Sequence, residues 1–152
     1  FILTEFAEGG DLGRYTRVMR QSSETVDEYV LAKIFQQAMA GVAYLHARGI
    51  THRDVKPENL LVMKEFTENA VPRVVVGDYG CATHDTDTKR ITFGDPRFLA
   101  PKALEACIAH IENKTVVKRI ADFDKHEAHG VDVWAMGVTV YSSLMDDAIP
   151  FL

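Results

Sequence analysis

Asp54, Lys56 and Asn59 fall within six positions of one another in the run His52, Arg53, Asp54, Val55, Lys56, Pro57, Glu58, Asn59, and a second acidic centre, Asp78, Tyr79, Gly80, begins nineteen positions after Asn59. Carboxylate and amide oxygens are hard donors suited to Mg²⁺. A carboxylate beside a lysine can orient a hydroxyl proton while the ammonium meets negative charge. Together these are the requirements of phosphoryl transfer: metal ligands, a group to orient the attacking hydroxyl, and a cation near the transferring phosphate. The alternative, a polar turn with Asp and Asn serving turn geometry and Pro57 as punctuation, does not account for eight ordered residues followed by a second ordered motif.

Positioning elements can be read around these motifs. The residues 1–6 read as a buried strand, broken by Glu8, Gly9, Gly10 and Asp11 before a short helix over 12–19. Thr25 and Glu28 have the spacing of a capping box at the start of a long helix. Val30, Ile34, Ala38, Val42 and Leu45 recur at steps of three and four along it, and Gly49 supplies a stop. Short aliphatic runs at 60–63 and 74–76 predict a strand pair joined by an extended polar connection carrying Pro72. From 131 to 145, Trp134, Val138, Tyr141 and Leu144 put apolar residues on nearly every side, which predicts a buried central helix. A turn is expected at 146–150.

Composition narrows the classes. The chain has 152 residues, 47% hydrophobic and 26% charged, which is ordinary for one folded domain. A net charge of −5 with no basic stripe argues against a nucleic-acid surface, and no apolar run is long enough for a membrane span. Cys81 and Cys107 lie far apart without CxxC pairing, and no basic segment leads into an apolar stretch at the start. An intracellular protein, cytoplasmic or nuclear, is expected. With no initiator Met and a strand-like opening, both ends read as lying inside a larger fold.

HRDVKPEN resembles the catalytic loop of protein kinases, and DYG resembles their metal-binding DFG with Tyr for Phe. Lys two positions after Asp54 is similar to the serine/threonine-specific form, of calcium/calmodulin-dependent or AGC-like flavour. The resemblance implies an α+β, mainly helical fold: the large C-terminal lobe with the hinge strand, the N-terminal lobe missing, and residues 1–152 as one partial domain. It implies that ATP and Mg²⁺ are used, with Asp78 and Asn59 as metal ligands, Asp54 orienting the substrate hydroxyl and Lys56 at the γ-phosphate. Thr4 would be the gatekeeper, Glu5 and Ala7 the hinge pairing with adenine through backbone groups, and Leu61 the floor under it. Asp11 would meet the ribose or a basic substrate side chain. His52 and Tyr79 would stack as an internal spine, and Asp132 would hold the backbone of the catalytic loop.

The implied function is transfer of the ATP γ-phosphate to Ser or Thr of proteins, with Glu58 and Asp11 favouring substrates with basic residues before the target, and with neither nucleic acid nor membrane as partner. The Gly-rich loop, the phosphate-pairing Lys and its Glu belong to an upstream lobe, so the chain alone is expected to be inactive. Two departures point toward a pseudokinase scaffold instead. In GDPRFLAPK, Asp95 stands for the Thr of GTPxxxAPE and Lys102 for its Glu. Asp95 would repel Asp54 unless Lys56 lies between them, and Lys102 would need an acidic partner further along. A lipid or small-molecule kinase is disfavoured by the form of the loop. Arg53 suggests control by phosphorylation at Thr88 or Thr92. The stretch 102–130 reads as an insertion, in which Cys107, His110, His126 and His129 have CxxH and HxxH spacing; a solvated helical segment is preferred there over a zinc site.

Overall fold

The computed structural model describes residues 3–22, 27–63, 71–85, 94–112, 125–145 and 148–150, with backbone only at 125 and 126. Four helices, α1 (Leu12–Ser22), α2 (Glu28–His46), α3 (Pro101–Ile111) and α4 (Lys125–Leu144), dominate it. Five short strands accompany them: β1 (Gly10–Asp11), β2 (Ile50–Thr51), β3 (Leu60–Val62), β4 (Val74–Val76) and β5 (Thr83–His84). This is the α+β, mainly helical architecture that the sequence implies.

The expected apolar face of α2 is the one that packs. Ile34, Ala38, Val42 and Leu45 are buried together with Leu31 and Phe35, against Val74 and Val76 of β4 and the inward residues Leu60 and Val62 of β3. Ile34 is wholly buried, and truncating such a side chain to Ala costs roughly 2–5 kcal/mol. Gln37 fastens α2 to the sheet edge: its amide donates to Pro72 O at 2.9 Å and accepts from Val74 N–H at 3.0 Å. The helix starts at Glu28, and its cap falls two residues after the expected one. Asp27 is the cap, its Oδ1 accepting from the N–H groups of Tyr29 and Val30, while Thr25 lies outside the described residues. At the far end Gly49 takes φ +70°, the left-handed conformation that ends a helix at little steric cost.

β1, β3 and β4 form one antiparallel sheet in that spatial order, with Leu61 opposite Asp11 on one side and Val75 on the other. β2 and β5 form a second antiparallel pair, Thr51 facing Thr83. The connection within 64–70 lies outside the described residues.

Two expectations are corrected. Residues 3–7 do not form a strand: Leu3 and Phe6 are almost fully exposed, and no described strand pairs with them. Apolar composition alone does not make a strand without a neighbour for its N–H and C=O groups. The last helix is not buried on all sides either. Ala128, Val131, Asp132, Ala135, Met136, Val138, Thr139 and the Ser142–Ser143 pair face the core, while Val133, Trp134, Tyr141 and Leu144 remain substantially exposed. α4 also begins at Lys125, earlier than the apolar run announces.

Candidate active site

The loop after β2 is held from below by α4. Asp132, wholly buried, accepts from His52 N–H at 2.8 Å through Oδ2 and from Arg53 N–H at 2.7 Å through Oδ1. His46 Nε2 lies 2.8 Å from the same Oδ2, so this buried carboxylate is met by three donors. That grip sustains an unfavourable backbone: Arg53 has φ +68°, and Asp78 φ +55°, the two non-glycine residues at positive φ among those described. His52 then locks the loop to the second motif. Its Nδ1 accepts Asp54 N–H at 3.3 Å, so Nε2 carries the hydrogen and donates to Gly77 O at 2.9 Å. The expected ring contact of His52 with Tyr79 is present, centroids 5.4 Å apart and tilted.

Asp54 is surrounded by donors. Its Oδ2 accepts from Asn59 Nδ2 at 2.9 Å and from Lys56 Nζ at 2.9 Å, and its Oδ1 from the backbone N–H of Asp95 at 2.8 Å. Lys56 reaches back because its own backbone is extended before the single 3-10 turn Pro57–Asn59. Burial works against the ammonium, but the hydrogen bond and charge of Asp54, with the charges of Asp95 and Glu58 behind it, hold the Lys56 pKa above its ordinary value. Asn59 Nδ2 also donates to Asp54 O at 2.7 Å. With the amide nitrogen so used, Oδ1 is the atom Asn59 offers to a cation.

Asp78 follows Gly77, whose N–H donates to Asn59 O at 2.8 Å and so ties the two motifs. The Asp78 carboxylate is exposed and accepts from Gly80 N–H at 3.1 Å. The Asp78 carboxylate and the Asn59 amide oxygen are hard donors of the kind Mg²⁺ takes when it binds through one or two protein oxygens plus phosphate.

Of the residues expected around a nucleotide, Asp11 and Leu61 lie in the sheet of β1, β3 and β4, and Ala7 is bonded to its edge. Leu60 and Val62 point inward, leaving half-buried Leu61 on the opposite face. Ala7 O accepts Gly10 N–H at 3.1 Å, and Gly9 N–H donates to Val62 O at 3.0 Å, so the segment carrying Thr4, Glu5 and Ala7 leaves the sheet edge beside β3. Thr4 and Glu5 are exposed, with Glu5 3.9 Å from Arg73. Asp11 has a local task as well, its Oδ1 accepting Arg14 N–H at 2.8 Å in the first turn of α1.

Both departures from the family pattern have partners. The Asp95 carboxylate does not face Asp54; only its N–H does. Its oxygens are taken by Arg97, with Nε at 3.0 and 3.2 Å and Nη2 at 2.7 Å. That hydrogen bond outweighs burial and holds the Asp95 pKa below its ordinary value. Arg97 also lies 3.8 Å from Glu58. Sequence reasoning passed over Arg97, although a basic residue two positions after an unexpected Asp was a signal to follow. Lys102 meets Glu127 at 3.0 Å, an acidic partner on α4 within this chain.

Among the described residues, Cys107, His110 and His129 are not gathered into one metal-binding group. Cys107 is buried with Leu99, Ala103 and Val131. His129 instead stacks on His46 at 4.1 Å, nearly parallel, and its Nε2 is 3.4 Å from Asp85. The His126 side chain, Thr88 and Thr92 lie outside the described residues.

The family described as "Protein kinase domain" matches residues 1–152. Among curated proteins, serine/threonine-protein kinase H1 of Homo sapiens is 32% identical over 99% of the chain, which covers 30% of that protein. Serine/threonine-protein kinase PLK4 of Aedes aegypti is 31% identical over 95% of the chain and 16% of its own length. Serine/threonine-protein kinase cds1 of Schizosaccharomyces pombe is 30% identical over 99% of the chain and 28% of its own. The chain thus spans less than a third of these relatives. With a match along its whole length and the loop geometry above, the chain belongs to the protein kinase domain family, in the company of its serine/threonine-specific members.

Proposed function

We propose that the protein carrying this chain transfers the γ-phosphoryl group of ATP to Ser or Thr hydroxyls of proteins in signalling. The observation that carries this reading is the Asp54 carboxylate, fixed by Asn59 and Lys56 of its own loop and by the N–H of Asp95 from a segment 41 positions on. In the proposed step the substrate hydroxyl oxygen forms a bond to the γ-phosphorus, the bond from that phosphorus to the bridging oxygen of ADP breaks, and the hydroxyl proton passes toward Asp54. Lys56, 2.9 Å from Asp54, stabilises the charge on the transferring group. Asp78 and Asn59 would hold Mg²⁺, which when bound neutralises phosphate charge. Thr4, Glu5 and Ala7 would border the adenine, Leu61 would pack beneath it, and Asp11, with Oδ1 capping α1, would offer its other oxygen to a ribose hydroxyl.

Asp11 and Glu58 line a cavity of about 190 Å³ together with Arg17 and Arg97. The two acidic residues support substrates with basic residues before the target, although Arg97 competes for Glu58. We read residues 1–152 as the stretch from hinge to central helix, inactive without an upstream lobe, and place its action in the cytoplasm or nucleus. The chain has two cysteines, Cys81 and Cys107, far apart in sequence and without CxxC spacing, which supports a reducing compartment. Among the described residues no helix is long and apolar enough to cross a membrane.

The test is transfer of ³²P from ATP to a peptide library by the full-length protein beside Asp54→Asn. Transfer lost in the variant supports the reading. Equal transfer by both, or none by the folded parent with its phosphorylation sites occupied, overturns it.

A further inference from the structure

Within this proposed function, we infer that Arg97 is a positioning residue: by binding the carboxylate of Asp95 it keeps Lys56 committed to Asp54. Asp95 sits where its N–H must reach Asp54 Oδ1, 2.8 Å away. That approach is tight, since a Cβ on the preceding Gly94 would lie 2.6 Å from the same oxygen. A carboxylate on the residue so placed brings a second negative charge beside the Lys56–Asp54 pair, and an ammonium with two carboxylates in reach divides itself between them. The negative charge of Asp95 adds to that of Asp54 in holding the Lys56 pKa above its ordinary value.

Arg97 removes the competition by geometry. Its guanidinium takes both Asp95 oxygens, the planar bidentate arrangement that a lysine cannot reproduce. Its own N–H donates to Asp95 Oδ1 at 3.0 Å, fixing that carboxylate as the cap of the 3-10 turn Pro96–Phe98. The 3.8 Å contact with Glu58 gives the guanidinium a second anchor on the catalytic loop itself. Asp95 and Arg97 therefore act as one unit, and the aspartate is tolerated only in the presence of the arginine.

The test is a double-mutant cycle in the full-length protein: parent, Arg97→Ala, Asp95→Thr, and the double variant, each checked by circular dichroism and thermal unfolding. Should Arg97→Ala fail to fold, Arg97→Gln takes its place. Arg97→Ala is expected to lower kcat about ten-fold with KM for ATP changed less than about two-fold, and to lower kcat less than about two-fold when made in the Asp95→Thr background. An equal loss in both backgrounds, or none in either, overturns the inference. A second readout needs no catalysis: the Lys56 ¹⁵Nζ and Asp54 ¹³Cγ resonances at pH 7 shift in Arg97→Ala and return toward their parental positions in the double variant. Unmoved resonances in Arg97→Ala also overturn it. An inert parent whose resonances behave as expected would reject the proposed activity while upholding the role of Arg97.

Discussion

Asp132 accepts a hydrogen bond from Arg53 N–H at 2.7 Å across 79 positions of sequence, so one wholly buried carboxylate on α4 fixes the residue immediately before Asp54. Because Arg53 holds φ +68° there, the loop depends on this acceptor rather than on its own conformational preference. Asp132→Ala leaves the His52 and Arg53 N–H groups buried without their acceptor and is expected to lower the unfolding free energy by about 3–5 kcal/mol. Asp132→Asn keeps the shape but turns an NH₂ toward one of those donors, at a cost of about 1–3 kcal/mol. Urea denaturation of both variants checks the order, and a change below 1 kcal/mol in Asp132→Ala would show that the loop is held by something else.

Much of this was readable from residue order, for identifiable reasons. The inner face of α2 follows from 3.6-residue periodicity, which reports burial directly, and the loop of Asp54 stands out because HRDVKPEN, eight consecutive residues, resembles the catalytic loop of protein kinases. The reading failed where the answer depends on a neighbour. Residues 1–6 have strand composition, but no described strand pairs with residues 3–6. Trp134 and Tyr141 are apolar, yet nothing among the described residues covers them fully. Where the TxxE spacing pointed to Thr25, the cap is Asp27, which stands next to the first turn and takes two N–H groups on its own. Gln37 at the edge of β4 and Arg97 on Asp95 are tertiary pairings, invisible in local pattern.

Gly94 offers a test of geometry at the candidate active site. A Cβ there would lie 2.3 Å from Arg53 O and 2.6 Å from Asp54 Oδ1, so the segment carrying Asp95 must move away to admit it. Gly94→Ala is expected to reduce phosphoryl transfer on the order of 100-fold, the scale of an ångström-level misplacement, with little change in global stability. Steady-state transfer read beside a thermal melt separates the two. Full activity in Gly94→Ala would mean that the Asp95 N–H contact with Asp54 is dispensable.

Lys102 and Glu127 make a prediction with small numbers. Their contact is 3.0 Å, but the Lys102 side chain is 72% exposed, so water and salt screen it. Lys102→Glu, which sets two carboxylates against each other, is expected to cost no more than about 1 kcal/mol, and the swap Lys102→Glu/Glu127→Lys to recover most of it. Urea midpoints at low and high salt provide the measurement. A swap no better than the single variant would make the contact incidental.

Tyr15 links the core to alkaline pH. Burial, reinforced by the negative charge of Asp27, raises its hydroxyl pKa from 10.0 to about 12. A folded state that keeps this proton after the unfolded chain has released it binds more protons, so stability falls as pH rises. The contribution is intact below pH 10, is lost between 10 and about 12, and amounts to roughly 2–3 kcal/mol if the shift is fully expressed. Tyr15→Phe should flatten that part of the stability profile, and absorbance at 295 nm should show one tyrosine ionising only as the protein unfolds. If the parent and Tyr15→Phe lose stability in parallel across this window, the alkaline sensitivity belongs to other groups and the hydroxyl of Tyr15 ionises in place.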